Sequence, residues 1–238
     1  MKYLLAAVAA VALVVGGMRL SSATTEPQRV LFIGNSYTAT HDLPGRVAAI
    51  TEANGLRLET TTIAPGGRTL RQHAGDSGVR SAIANGDYDL IVIQEQSEHP
   101  ADATLLTTSS IPAAETLGEL AALVESEVIL FQTWGHRDGN AFTGHRSYSS
   151  MQSALVDGYW QLAEASGGRV APVGSTWARS LEANDIALHS SDGSHPSPAG
   201  THLASLVIAR TILGERLEQI PADGVSDADA AALAALLW

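Results

Sequence analysis

The chain contains no cysteine. Without thiols it can form no disulfide, carry no lipid-modified cysteine and offer no thiolate to a structural zinc site, so its stability rests on packing alone. Basic residues are scarce: 14 Lys and Arg stand against 25 Asp and Glu, a formal net charge of -11, and the cations are scattered rather than clustered. That balance repels phosphate backbones and anionic lipid surfaces, which argues against nucleic acid and peripheral membrane partners. The histidines show neither HxH nor HExxH spacing and no Walker or GxGxxG loop is present, so neither a metal nor a nucleotide cofactor is expected. No Pro/Gly/Ser-rich linker or block of charge divides the 238 residues, which suffice for one sizeable core.

One long hydrophobic run is present, at the start. Met1-Lys2, an apolar stretch from Tyr3 to Val15, Gly16-Gly17 and the small residues Ser21-Ser22-Ala23 follow the charged, apolar, cleavable order of a secretory signal peptide. Residues 1–23 are read as that signal and 24–238 as one mature domain, exported to the periplasm or the exterior. The alternative is an uncleaved anchor, because apolar character continues to about Leu20 and a spanning helix needs roughly 20 residues.

Beyond the signal, apolar strand-like runs alternate with helical stretches. Val30–Ile33, Leu56–Ile63, Asp89–Gln94, Glu127–Thr133 and Arg169–Val173 read as strands. Helices are expected from Asp42 to about Asn54, over Gly78–Asn85, Ser109–Glu125 and Ser149–Ser166, from Ser197-Pro198 to about Leu213, and from Ser226 onward. Five such alternations predict a parallel five-stranded sheet covered on both faces, a three-layer α/β/α sandwich of flavodoxin-like kind.

The chain is organised around VLFIGNSYT, residues 30–38, where a buried strand runs into Gly34 and a small hydroxyl residue. That is how an α/β protein delivers a nucleophile to the carboxyl edge of its sheet, which makes Ser36 the first catalytic candidate. A serine needs a neutral imidazole to take its proton, and the imidazole needs a carboxylate to fix its tautomer. Asp192 and His195, three residues apart in a turn-rich segment, fit those roles. Gly66-Gly67 after the second strand permits a backbone N–H to point into a cleft, as an oxyanion hole requires. Trp134, Arg137 and Asp138 follow the fourth strand, as an aromatic, a guanidinium and a carboxylate suited to gripping a polar substrate such as a sugar. The other reading of Arg137 and Asp138 is an internal ion pair ordering the loop. Trp177 is expected in the core, and His41, His73, His99, His136, His145, His189 and His202 on the surface or in loops.

Gly34-Asn35-Ser36 near one end and Asp192-x-x-His195-Pro196-Ser197 near the other resemble the SGNH (GDSL-type) hydrolase superfamily. In order, IGNSYT, APGGRTL, VIQEQS, QTWGHRDG, APVGSTW and DGSHPSPAG are similar to a subgroup of SGNH-like proteins without a settled function, over roughly Val30 to Leu213. The resemblance implies a serine hydrolase acting on esters through Ser36, His195 and Asp192. It also implies an oxyanion hole built from the N–H groups of Ser36 and of a second-block glycine, Gly67 or its neighbour Gly66. A third donor usually comes from Gly-x-Asn-Asp after the third strand. This chain has Gln94-Glu95-Gln96-Ser97 there, and the amide of Gln94 or Gln96 offers the same N–H on a longer arm. The substrate is expected to be a small-molecule or carbohydrate ester such as an O-acetylated sugar, with lipid esters or thioesters as alternatives. A rival of another class is a non-catalytic carbohydrate-binding or assembly protein on the same fold, which the departure from Gly-x-Asn-Asp favours.

Overall fold

Each apolar run becomes a parallel strand. Gln28–Ile33 (β1), Leu58–Ile63 (β2), Leu90–Ile93 (β3), Glu127–Phe131 (β4) and Arg169–Ala171 (β5) form one five-stranded sheet in the order β2-β1-β3-β4-β5. The structure is a computed structural model that describes residues 26–214 and 217–237, and the segment read as a signal peptide lies outside them.

The helices are α1 (Ser36–Ala39), α2 (Leu43–Ala53), α3 (Leu70–Ala74), α4 (Ser77–Asn85), α5 (Ala103–Leu105), α6 (Ile111–Leu123), α7 (Tyr148–Ser166), α8 (Val173–Ala183), α9 (Pro198–Leu213) and α10 (Asp227–Ala235). Their starts follow the capping residues of the sequence. Asp42 accepts from the Gly45 N–H at the head of α2, Ser197 from Gly200 at α9, and Ser226 from Asp229 at α10. Several boundaries differ from expectation, among them the end of β5 at Ala171 instead of Val173. The strand expected to reach Thr133 stops at Phe131, and α6 begins at Ile111 behind a π-helical stretch, Leu106–Ser110, whose wider turn leaves no mark on apolar spacing.

Successive strand residues point to opposite faces, so each central strand feeds two cores. Val30, Phe32, Val92, Ile129 and Phe131 cluster with residues of α2, α8, α9 and α10. Leu31, Ile33, Ile91, Ile93 and Leu130 cluster with α3, α4, α6 and α7. This is the three-layer α/β/α sandwich that the alternation predicts.

The topology also says where a site belongs. From β1 the chain steps outward to β2 and then crosses back to β3, so the strand order reverses around β1. Ile33 pairs with Ile63 on one side and with Ile93 on the other, so Gly34, Ala64 and Gln94 leave the sheet at one level. Open α/β sheets bind ligands in the crevice at that switch point.

Candidate active site

Gly34 leaves β1 where no side chain fits: a Cβ there would lie 2.3 Å from Thr38 Oγ1 and 2.6 Å from Gln94 Oε1. His73, fully buried, donates from Nε2 to the Gly34 carbonyl at 2.8 Å. Asn35 then caps α1, its Oδ1 accepting from the Tyr37 N–H at 3.1 Å. The Asn35 N–H donates to Gln94 Oε1 at 3.0 Å and its Nδ2 donates to the Arg68 carbonyl at 3.1 Å. Ser36 is thereby fixed at the first position of α1, half-buried, ahead of the intrahelical ladder that would otherwise take its N–H.

His195, the candidate base, arrives on the loop before α9. A bridge between His189 and Pro196 closes the loop at its root, and the Ser190 N–H donates to the His195 carbonyl at 2.8 Å. Inside it, Asp192 Oδ1 accepts from the N–H groups of Ser194 and His195, each at 2.9 Å, and from Ser190 Oγ at 2.8 Å. Oδ2 is left for His195 Nδ1 at 2.7 Å. These bonds, led by the Ser194 N–H, favour the charged form and hold the Asp192 carboxyl well below the usual carboxylate range against partial desolvation. An ionised carboxylate only accepts, so His195 Nδ1 carries the imidazole proton and Nε2 presents its lone pair to Ser36 Oγ at 2.9 Å. The side chains of His195 and Asp192 remain 40% and 49% exposed, so the pair lies open to solvent.

The remaining expected residues divide. Gly67 takes a left-handed φ of 67° in a turn closed by the Arg68 N–H on the Pro65 carbonyl at 3.3 Å. The N–H groups of Gly66 and Gly67 take no part in that bond, and Asn35 ties the turn to the nucleophile loop. Gln94 departs from expectation. It is fully buried, its Oε1 accepts from Asn35 N–H and from Thr38 Oγ1 at 2.9 Å, and its amide donates to the Glu95 carbonyl. Its side chain lies beneath the nucleophile loop, where it positions Asn35 instead of facing an oxyanion. Gln96 is half-buried, and its Oε1 accepts from the N–H groups of Glu98 at 2.7 Å and His99 at 3.2 Å, leaving its amide N–H groups uncommitted.

Trp134 is a second correction. It has no exposed surface, stacks between Tyr37 at 4.7 Å and Trp177 at 3.9 Å, and donates from Nε1 to the Ser194 carbonyl at 3.0 Å. It is a core residue that supports the catalytic loop, and Trp177 is core as expected. Arg137 and Asp138 stay on the surface as an ion pair at 3.4 Å, and the Arg137 N–H donates to the Gly193 carbonyl at 2.8 Å. Two histidines expected on the surface or in loops are instead buried. His73 holds Gly34, and His202 sits inside α9 with neither ring nitrogen partnered. Burial, aided by the Arg46 charge, pushes the His202 imidazole down to about 4.

Sequence reasoning missed a set of residues beside the triad. The Tyr37 hydroxyl meets Ser194 Oγ at 2.6 Å, and Ser194 Oγ lies 3.1 Å from His136 Nε2, which also meets Ser97 Oγ at 3.4 Å. Buried Glu95 accepts from the Leu70 N–H at 2.9 Å and the Gln96 N–H at 2.6 Å, joining the loops after β2 and β3. The signal available was adjacency: each of these residues lies in a motif already singled out. Among the described residues no group of three His, Asp or Glu side chains is placed to hold a metal ion.

No family model matches the chain, and no curated protein sequence does. Solved structures do. A protein from Slackia heliotrinireducens, a candidate SGNH hydrolase, is 30% identical over 79% of this chain and 100% of its own, with a TM-score of 0.68. A DUF4886 family protein from Bacteroides uniformis is 17% identical over 89% of this chain and 93% of its own, at a TM-score of 0.73. A lipase/acylhydrolase from Enterococcus faecalis is 16% identical over 81% of this chain and 99% of its own, at a TM-score of 0.56. At those lower identities the last two share the fold. The 30% identity over the whole length of the first, together with the sheet order and the site at its switch point, makes this chain a member of the SGNH hydrolase superfamily.

Proposed function

We propose that the protein is an exported serine esterase that cleaves carboxylic esters through Ser36, His195 and Asp192. The observation that carries this reading is the unbroken chain from Ser36 Oγ to His195 Nε2 at 2.9 Å and from His195 Nδ1 to Asp192 at 2.7 Å.

In the first half-reaction His195 Nε2 takes the Ser36 proton while Oγ bonds to the ester carbonyl carbon, and the carbonyl π pair moves onto oxygen. Asp192 stabilises the imidazolium without itself taking a proton. The N–H groups of Ser36 and Gly67, with the Gln96 amide, are the donors proposed for the oxyanion. Collapse of the tetrahedral intermediate breaks the bond to the leaving alkoxide, which receives the proton from His195. Water, deprotonated by the same imidazole, then repeats the sequence on the acyl-enzyme and releases the acid.

For the substrate we favour a short acyl group on a polar carrier, such as O-acetylated carbohydrate. The half-exposed triad and the charged surface of Arg137 and Asp138 beside it support a water-facing, hydroxylated ligand over a deep acyl-chain site. An acetyl-xylooligosaccharide esterase from Geobacillus shares the fold at a TM-score of 0.53 and 16% identity. Export is proposed from the N-terminal sequence alone.

Hydrolysis of a soluble aryl acetate by the wild-type chain and by Ser36→Ala tests the reading. Turnover confined to the wild type is expected, with loss to background in a variant that unfolds at the same temperature. Full activity in Ser36→Ala removes Ser36 from the mechanism.

A further inference from the structure

We propose that His136 is a positioning residue of the triad: its Nε2 accepts the Ser194 hydroxyl, and that bond fixes the peptide that holds Asp192 and, through it, His195. The proposal rests on the reading of Ser36, His195 and Asp192 as the catalytic chain.

Ser194 is the link. Its N–H donates to Asp192 Oδ1 at 2.9 Å, its carbonyl accepts from Trp134 Nε1 at 3.0 Å, and its hydroxyl sits between Tyr37 at 2.6 Å and His136 Nε2 at 3.1 Å. Every polar group of this residue is therefore pinned, and the same residue supplies the leading contribution to the charged state of Asp192. In the proposed arrangement the side-chain bonds run one way, from Tyr37 through Ser194 to His136. Burial raises the Tyr37 phenol well above its ordinary range, so it stays protonated, and its one hydrogen goes to Ser194 Oγ and not to Ser97, its other hydroxyl partner. Ser194 has one hydrogen, and with its oxygen accepting from Tyr37 that hydrogen goes to His136 Nε2. His136 must then be neutral and carry its proton on Nδ1.

The surroundings keep it so. His136 is held below the ordinary imidazole range by burial, and His195 acts in the same direction, while Glu98 and Asp192 oppose them. His189, before Asp192 in the chain, is charge-coupled to it, Tyr37 on α1 meets the same Ser194 hydroxyl, and the charged Arg137 adjoins it in sequence. Charge coupling is mutual, so a proton on His136 disfavours the imidazolium that His195 becomes in the transition state. It also takes away the acceptor that orders Ser194. Protonation of His136 thus disarms the triad from two sides, by geometry and by charge.

The test compares kcat/KM against pH on a soluble aryl acetate for wild type, His136→Gln, His136→Leu and Ser194→Ala. Glutamine keeps an acceptor near the place of Nε2 but does not ionise, whereas leucine keeps bulk and removes the acceptor. The wild-type acid limb should be steeper than a single ionisation permits, and His136→Gln should reduce it to one. His136→Leu should lose about tenfold in kcat with KM nearly constant, the equivalent of one lost hydrogen bond, and His136→Gln should recover most of that loss. Ser194→Ala removes the link but leaves the His136 charge, so it should lose kcat about as His136→Leu does with KM nearly constant, and it carries the test if the His136 variants do not fold. An unchanged slope in His136→Gln, or wild-type kcat in His136→Leu or in Ser194→Ala, overturns the proposal. Activity retained by Ser36→Ala would instead overturn the catalytic reading beneath it. The relay is then judged by imidazole nitrogen NMR, where the Nδ1–H tautomer of His136 supports it and the Nε2–H tautomer contradicts it.

Discussion

Ser36, the proposed nucleophile, and His195, its proposed base, are delivered by loops of opposite character. The turn from Gly34 to Thr38 is set by packing: a Cβ on Gly34 would collide with Thr38 and Gln94, and buried His73 and Gln94 grip the backbone on either side. The loop from Ser190 to His195 is set by hydrogen bonds over an exposed surface, with one carboxylate oxygen gathering three donors from its own loop. The difference teaches that damage to the first should appear mainly as lost stability, and damage to the second mainly as lost turnover.

The sharpest way to separate them is Asp192→Asn. The amide keeps the shape but lets His195 take the wrong tautomer, so turnover should fall on the order of 10⁴-fold while the unfolding temperature scarcely moves. Parallel large losses of stability would mean that the exposed loop is part of the packed core after all.

The two glutamines sharpen the comparison at the next scale. Gln96→Ala should cost on the order of 10²–10³ in kcat if its free amide is the third oxyanion donor, with little change in stability. Gln94→Ala strands the buried Asn35 N–H and the Thr38 hydroxyl, so it should destabilise the fold by about 1–3 kcal/mol in denaturant titration. Equal small effects from both would place the third donor elsewhere.

A further expected effect is in pH-dependent stability, at the buried His202 in α9. His202 is depressed from 6.5 to about 4 in the folded chain, so the unfolded chain binds its proton first as pH falls. The contribution is therefore complete above pH 6.5 and is lost between there and about 4, amounting to up to ~3 kcal/mol. Urea unfolding at neutral and mildly acid pH should show the decline, and His202→Leu should flatten it. A decline of equal size in the variant assigns it to other groups, His73 and His189 among them, which burial also depresses.

What was legible in the sequence follows the same division. That Ser36, Asp192 and His195 come together could be read because their setting is local: a hydroxyl after a strand and glycine, and a carboxylate within reach of the N–H groups two and three residues on. The strand alternation likewise carried the layer architecture. Gln94 could not be read, because whether the first side chain past a strand faces the crevice or lies beneath it depends on the neighbouring strand, here on Asn35 across the switch point. Trp134 was misplaced for a similar reason, since stacking on Tyr37 and Trp177 joins residues far apart in the chain. His202 looked like an exposed polar position, but α9 is buried along most of its length, and so this one polar ring goes inside with its apolar neighbours.

The central claim is that His195 and Asp192 make Ser36 a nucleophile. Its most direct test is to treat the folded chain with a fluorophosphonate serine probe and locate the adduct by peptide mass. One adduct is expected, on Ser36, absent from His195→Ala and strongly slowed in Asp192→Asn. An unlabelled wild-type chain, or an adduct on another serine that survives both substitutions, would contradict it.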